Sequence, residues 1–106
     1  MKFLDISDAF SKTGRKGTAM AVLFYMLDRH DEGVNLVSID ELANVINVAK
    51  ENLSGLCSSL SKAGLLKIKY ITPDGTIYDE RKSRLNTKSY YQLSENVLHL
   101  FRRKGY

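Results

Sequence analysis

At 106 residues the chain has room for one domain with one core, and not for two. Hydrophobic residues make up 43% and charged residues 26%, which excludes wholesale disorder. No apolar run approaches the roughly 20 residues of a membrane helix, and the opening MKFLDISDAF has acids where a secretion signal needs an unbroken apolar stretch. The lone cysteine, Cys57, cannot form an internal disulfide, so the expectation is a cytoplasmic chain in a reducing compartment with no membrane contact.

Charge is unevenly spread over the net +4. Residues 1–53 carry six Lys/Arg against eight Asp/Glu, net −2; residues 54–106 carry ten against four, net +6. A one-sided basic excess suits a polyanionic partner, because neutralised phosphates release their condensed counterions.

The first ten residues set Phe3, Leu4, Ile6 and Phe10 among polar neighbours, as a short helix or docked arm would; residues 1–17 read as an N-terminal arm. From Thr18, a plausible N-cap, to about Arg29, Met20, Leu23, Phe24 and Leu27 recur at i, i+3, i+4 and i+7, one face of a helix. Gly33 stops it, and residues 34–37 are a short apolar stretch that suits a strand of two or three residues. Ser38 and Glu41 form an S-x-x-E capping box, and Ile39, Leu42, Ala43 and Ile46 form the next stripe. Asn47 suits a tight left-handed turn. A third helix from about Ala49 to Ala63 turns Leu53, Leu56, Cys57 and Leu60 inward, and Gly64 closes it.

After Gly64 the period changes from helix to strand. LLKIKYIT (65–72) alternates, Pro73-Asp74-Gly75 is a turn, and KSYYQL (88–93) is the returning strand. The polar stretch 76–87, with Arg81, Lys82 and Arg84, reads as the extended tip of that hairpin. Ser94 caps a final helix whose Val97, Leu98 and Phe101 face inward.

This order predicts a mainly α (α+β) single domain over 1–106. It has a three-helix core, a helix-turn-helix at 38–64, a β-hairpin wing at 65–93 and a C-terminal helix at 94–106. The segment 38–70 resembles the bacterial winged helix-turn-helix regulators, MarR-like and related families. The matching pieces are Glu41-Leu42-Ala43, Asn47-Val48, the Leu53/Leu56/Leu60 stripe and Lys62-Ala63-Gly64-Leu65-Leu66. YYQLSENVLHLF (90–101) is similar to the closing element of those families, with Val97 where a glycine is usual. The resemblance implies a sequence-specific regulator of transcription that binds double-stranded DNA as a homodimer.

On the third helix, the direction opposite the apolar stripe carries Glu51, Gly55, Ser58 and Lys62, with Lys50, Asn52 and Ser54 near its start. Such a face enters the major groove: asparagine suits adenine, lysine suits guanine, serine suits either, and Glu51 can accept from cytosine. Gly55 shortens the reach at mid-helix and permits close approach to a backbone. The helix lacks arginine, so the wing cations Lys67, Lys69, Arg81, Lys82, Arg84 and Lys88 are expected to grip phosphate or the minor groove. Lys12, Arg15 and Lys16 offer a further phosphate contact. Candidate dimer surfaces are Phe3, Leu4, Ile6 and Phe10 together with Val97, Leu98, Leu100 and Phe101, all of which could equally complete the core. No catalytic, cofactor or metal constellation is visible; His30 and His99 lack the necessary neighbours, and an enzyme is not expected. An alternative reading remains open, in which the chain is a winged-helix protein-interaction module of a replication or assembly complex.

Overall fold

The computed structural model describes residues 1–105. Five helices and a four-stranded antiparallel sheet form an α+β fold: α1 (Phe3–Lys12), α2 (Lys16–Asp31), β1 (Val37–Ser38), α3 (Ile39–Ile46), α4 (Lys50–Lys62), β2 (Leu66–Ile71), β3 (Ile77–Tyr78), β4 (Lys88–Leu93) and α5 (Glu95–Leu100). The strand order is β1-β4-β2-β3.

Of the two readings of the first ten residues, a short helix or a docked arm, the helix is the one formed, as α1. The Asp5 carboxylate accepts the Lys2 backbone N–H at 2.7 Å, which occupies an otherwise orphan donor. Ile6, Ala9 and Phe10 then turn into the core. The chain reverses through residues 13–15, where Gly14 adopts φ +72° and the Thr13 hydroxyl accepts from the Arg15 N–H at 3.0 Å. That turn starts α2 at Lys16, so Thr18 lies inside the helix and does not cap it.

The buried face of α2 also differs from the expected one. Ala19, Val22, Leu23, Met26 and Leu27 are buried, whereas Met20 is 43% and Phe24 50% exposed. Apolar residues surround most of this helix, so two overlapping stripes compete. The inward one contains Ala19, whose small side chain is fully covered.

Ser38 caps α3 by accepting the Glu41 N–H at 3.1 Å. The other half of the expected capping box is replaced. The Glu41 carboxylate reaches across to α2, accepting the Tyr25 hydroxyl at 2.5 Å and the Arg29 Nε at 3.1 Å. The carboxylate raises the Tyr25 pKa chiefly through that hydrogen bond. Only Leu42 of the α3 stripe is fully buried; Ile39, Ala43 and Ile46 pack against the core while partly exposed. Asn47 takes the left-handed conformation (φ +61°), and residues 47–49 join α3 to α4. On α4 all four stripe positions, Leu53, Leu56, Cys57 and Leu60, are buried. Burial pushes the Cys57 thiol up to about 12, which makes it a small apolar core group.

β2 pairs with β4 from Leu66↔Leu93 to Ile71↔Lys88, and β1 pairs with β4 through Val37↔Tyr91 and Ser38↔Tyr90. The stretch 76–87 is not an extended tip. The chain turns sharply at 72–76, and β3 folds back along β2 with Tyr70↔Tyr78 and Ile71↔Ile77 in register. Gly75 (φ +90°) donates to the Thr72 carbonyl at 2.9 Å, and the Thr76 N–H donates to Thr72 Oγ1 and Asp74 Oδ1, each at 3.1 Å. Those bonds make 72–76 the hairpin's own turn.

The C-terminal helix is short. Ser94 caps it by accepting the Val97 N–H at 3.3 Å, and it ends at Leu100. The guanidinium of Arg103 then forks onto Asp31 at the end of α2, with Nε and Nη2 at 3.0 and 2.8 Å. Arg103 holds the Asp31 carboxyl below its ordinary range through those bonds. One core unites all five helices with β1, β2 and β4. Ile6, Phe10, Val97 and Leu98 are buried in it, which removes them as dimer contacts; Phe3 and Leu4 remain exposed.

Candidate nucleic-acid interface

α4 presents a polar side to solvent because its apolar residues form a single stripe. Opposite that stripe, Lys50, Glu51, Asn52, Ser54, Gly55 and Lys62 are exposed and Ser58 is half-buried. A Cβ built on Gly55 would meet nothing within 4 Å, so no packing inside this chain requires a glycine there. Its helix-propensity cost of about 1 kcal/mol relative to alanine is therefore not offset by any internal contact.

The turn between α1 and α2 comes alongside this helix. Lys12, Thr13 and Arg15 share a shallow groove of about 400 Å³ with Glu51, Asn52, Gly55 and Ser59. Of Lys12, Arg15 and Lys16, the first two are thus neighbours of the polar helix face, although 36 or more positions separate them from Glu51 in the chain.

Lys50 and Lys88 are brought together by a residue that the sequence does not single out. Lys50 Nζ pairs with Asp40 Oδ1, and Lys88 Nζ lies 2.7 Å from Asp40 Oδ2. One carboxylate in the first turn of α3 therefore holds the first residue of α4 and the first residue of β4. Hydrogen bonds from Lys50 and then Lys88 bring the Asp40 pKa down to about 2, and Asp40 in turn raises that of Lys88. An acid in a helix's first turn is routine, because it favours the macrodipole, so no local signal marks Asp40. Lys50 and Lys88, both candidates for nucleic-acid contact by sequence, thus each carry an internal counterion.

Arg81, Lys82 and Arg84 are exposed but lie in the loop that follows β3, not at the hairpin's turn. The Arg81 guanidinium sits 5.5 Å from the Tyr70 ring centroid, and Lys82 Nζ sits 5.7 Å from that of Tyr78. Tyr70 of β2 and Tyr78 of β3 are cross-strand partners, so the pairing of those two strands makes a two-ring platform on which both cations rest. Lys69 pairs with Asp79 across the same strands. The sequence shows the charges of this segment but not the platform, which depends on a two-residue strand.

A separate apolar groove of about 500 Å³ lies between α1, α2 and the chain end, lined by Phe3, Ile6, Phe10, Met20, Phe24 and Phe101 among others. Phe3 and Phe101 meet edge to face at a centroid distance of 5.6 Å. Among the described residues, no group of three or more His, Cys, Asp or Glu side chains is arranged to hold a metal ion. No described helix is long and apolar enough to cross a membrane. Comparisons with protein-family models, with curated proteins and with solved structures find no match.

Proposed function

We propose that this chain is a winged helix-turn-helix regulator of transcription that binds double-stranded DNA sequence-specifically. In this reading α4 enters the major groove, and β2, β3 and β4 with the loop before β4 form the wing on the phosphate backbone or minor groove. The observation that carries it is the surround of α4. A polar helix face with an unexplained central glycine has Lys12 and Arg15 on one flank and Lys50 with Lys88 at its N-terminal end. Four cations from three chain segments along one flank and the N-terminal end of an exposed helix face suit a polyanion laid against that helix. Asn52 and Ser54 are the candidates for base edges, Lys50 for guanine or phosphate, and Gly55 for close approach. Arg81, Lys82 and Arg84, with Lys62 at the far end of α4, supply further contact.

Selection from a random duplex pool at physiological salt tests the reading. An enriched sequence, bound with a log affinity that falls linearly with log salt, is the expected result. Binding that enriches nothing and ignores salt overturns it. A palindromic product would also support the homodimer that the resemblance implies, with Phe3, Leu4, Met20 and Phe24 as its surface. The same apolar residues favour the alternative, an interaction module for another protein. A monomer that enriches no duplex and is captured through Phe24 would support that reading instead.

A further inference from the structure

Lys50, Asp40 and Lys88 form a clasp whose geometry duplicates that of a phosphate contact. Each carboxylate oxygen takes one ammonium group. A phosphodiester carries the same single negative charge on two unesterified oxygens, so the two lysines can exchange one anion for the other with no net change of charge. We propose that Asp40 is an internal competitor for DNA phosphate, holding Lys50 and Lys88 until a duplex draws them away and so weakening binding to arbitrary sequence. The inference rests on the duplex-binding reading above.

Three observations favour a competitor over a structural tie. The elements are already joined without it: Ser38 caps α3, and β1 pairs with β4 next to that cap. The clasp is wet, with side-chain exposures of 59% for Lys50, 51% for Lys88 and 36% for Asp40, so solvent screens it and exchange is cheap. Its cations are lysines, point charges on flexible stems that can swing to another oxygen, and not arginines locked in a planar fork. The chain does use a fork where it ties segments together, at Arg103 and Asp31. With its pKa near 2, Asp40 stays ionised throughout the physiological range, so phosphate and salt operate the clasp and protons do not. The ionisable groups facing it are Lys50 and Lys88 themselves, with Tyr90 near Lys88.

The test compares the full chain with Asp40→Asn against a random-sequence duplex and against the selected site, each over a salt series. The expected result is a rise of about tenfold in affinity for the random duplex. The slope of log affinity on log salt should steepen by about 0.9 for each phosphate gained, up to two. The gain for the selected site should be at least as large, because there too the lysines must leave Asp40 before they reach phosphate. Adding Lys50→Ala and Lys88→Ala to Asp40→Asn should return the random-duplex affinity to the original level or below. Should Asp40→Asn fail to fold, dimethylation of the lysines of the unaltered protein gives a second readout, because it keeps their charge. The Lys50 and Lys88 methyl NMR signals should then move when random duplex is added. A folded Asp40→Asn protein that binds random duplex no better, or methyl signals that stay fixed in the bound protein, overturns the proposal and leaves duplex binding standing. If neither protein binds any duplex at low salt, the duplex-binding reading falls and takes this inference with it.

Discussion

α4 and α2 cross the same core and turn opposite kinds of surface outward. α4 buries its single apolar stripe completely and offers water a row of small polar and charged side chains. α2 buries five apolar residues and still has Met20 and Phe24 half in solvent, in one groove with Phe3 of α1. The difference separates two kinds of surface. The outer side of α4 is comfortable in water and compatible with a charged, hydrated partner. The outer side of α2 is not, and burial at about 25 cal/mol per Å² rewards any apolar surface that covers it.

Substitutions can break or sharpen this contrast. The largest effect should come from the shared core: Leu60→Ala, at a fully buried position, should destabilise the chain by about 2–5 kcal/mol in denaturant unfolding. Next, Arg81→Ala with Arg84→Ala should lower duplex affinity about tenfold and flatten the salt slope by up to about 1.8, with little change in melting temperature. Unchanged binding would remove this loop from the interface. Gly55→Ala should raise stability by roughly 0.5–1 kcal/mol, since its Cβ would enter open space. If a DNA backbone approaches there, the same change should weaken duplex binding, so stability and binding would move in opposite directions. Phe24→Ser, on the α2 side, should alter stability by about 0.5 kcal/mol or less. It should, however, reduce self-association in sedimentation velocity; unaltered sedimentation would mean that α2 is not the dimer surface.

The smallest effect concerns acid. Because the Asp40 pKa is lowered from 3.8 to about 2, its ionised form favours the fold above the unfolded value, and that contribution is lost as pH falls through about 2. Asp40→Asn should therefore flatten the acid limb of a stability–pH curve between about pH 4 and 2, and high salt should erase the difference.

How much of this was legible in advance follows from how many arrangements each segment allows. α4 has apolar residues at one face only, so its buried set, its polar side and its closing glycine could be read directly. α2 has an unbroken run of hydrophobic residues from 19 to 27, and periodicity alone cannot say which arc faces inward. β3 escaped because two residues, Ile77 and Tyr78, are too few to show alternation; the turn chemistry at 72–76 was visible, but its return strand was not. Glu41 fitted a capping box by spacing, yet Tyr25 and Arg29 offered its carboxylate stronger partners from another helix. The Asp40 clasp needed three distant segments to converge, and no local pattern encodes that.

The sheet's margins bear on assembly in a different way. Its outer strands, β1 and β3, are two residues each, so an incoming strand would find few hydrogen bonds at either border. Where β2 runs past β3 it carries the exposed Lys67, and lysine at a border disfavours an annealing strand. Both features blunt the sheet's borders against strand addition. The helical flank, with Phe3, Met20 and Phe24 exposed, therefore offers a contact surface that depends on side chains and not on the ladder of the sheet.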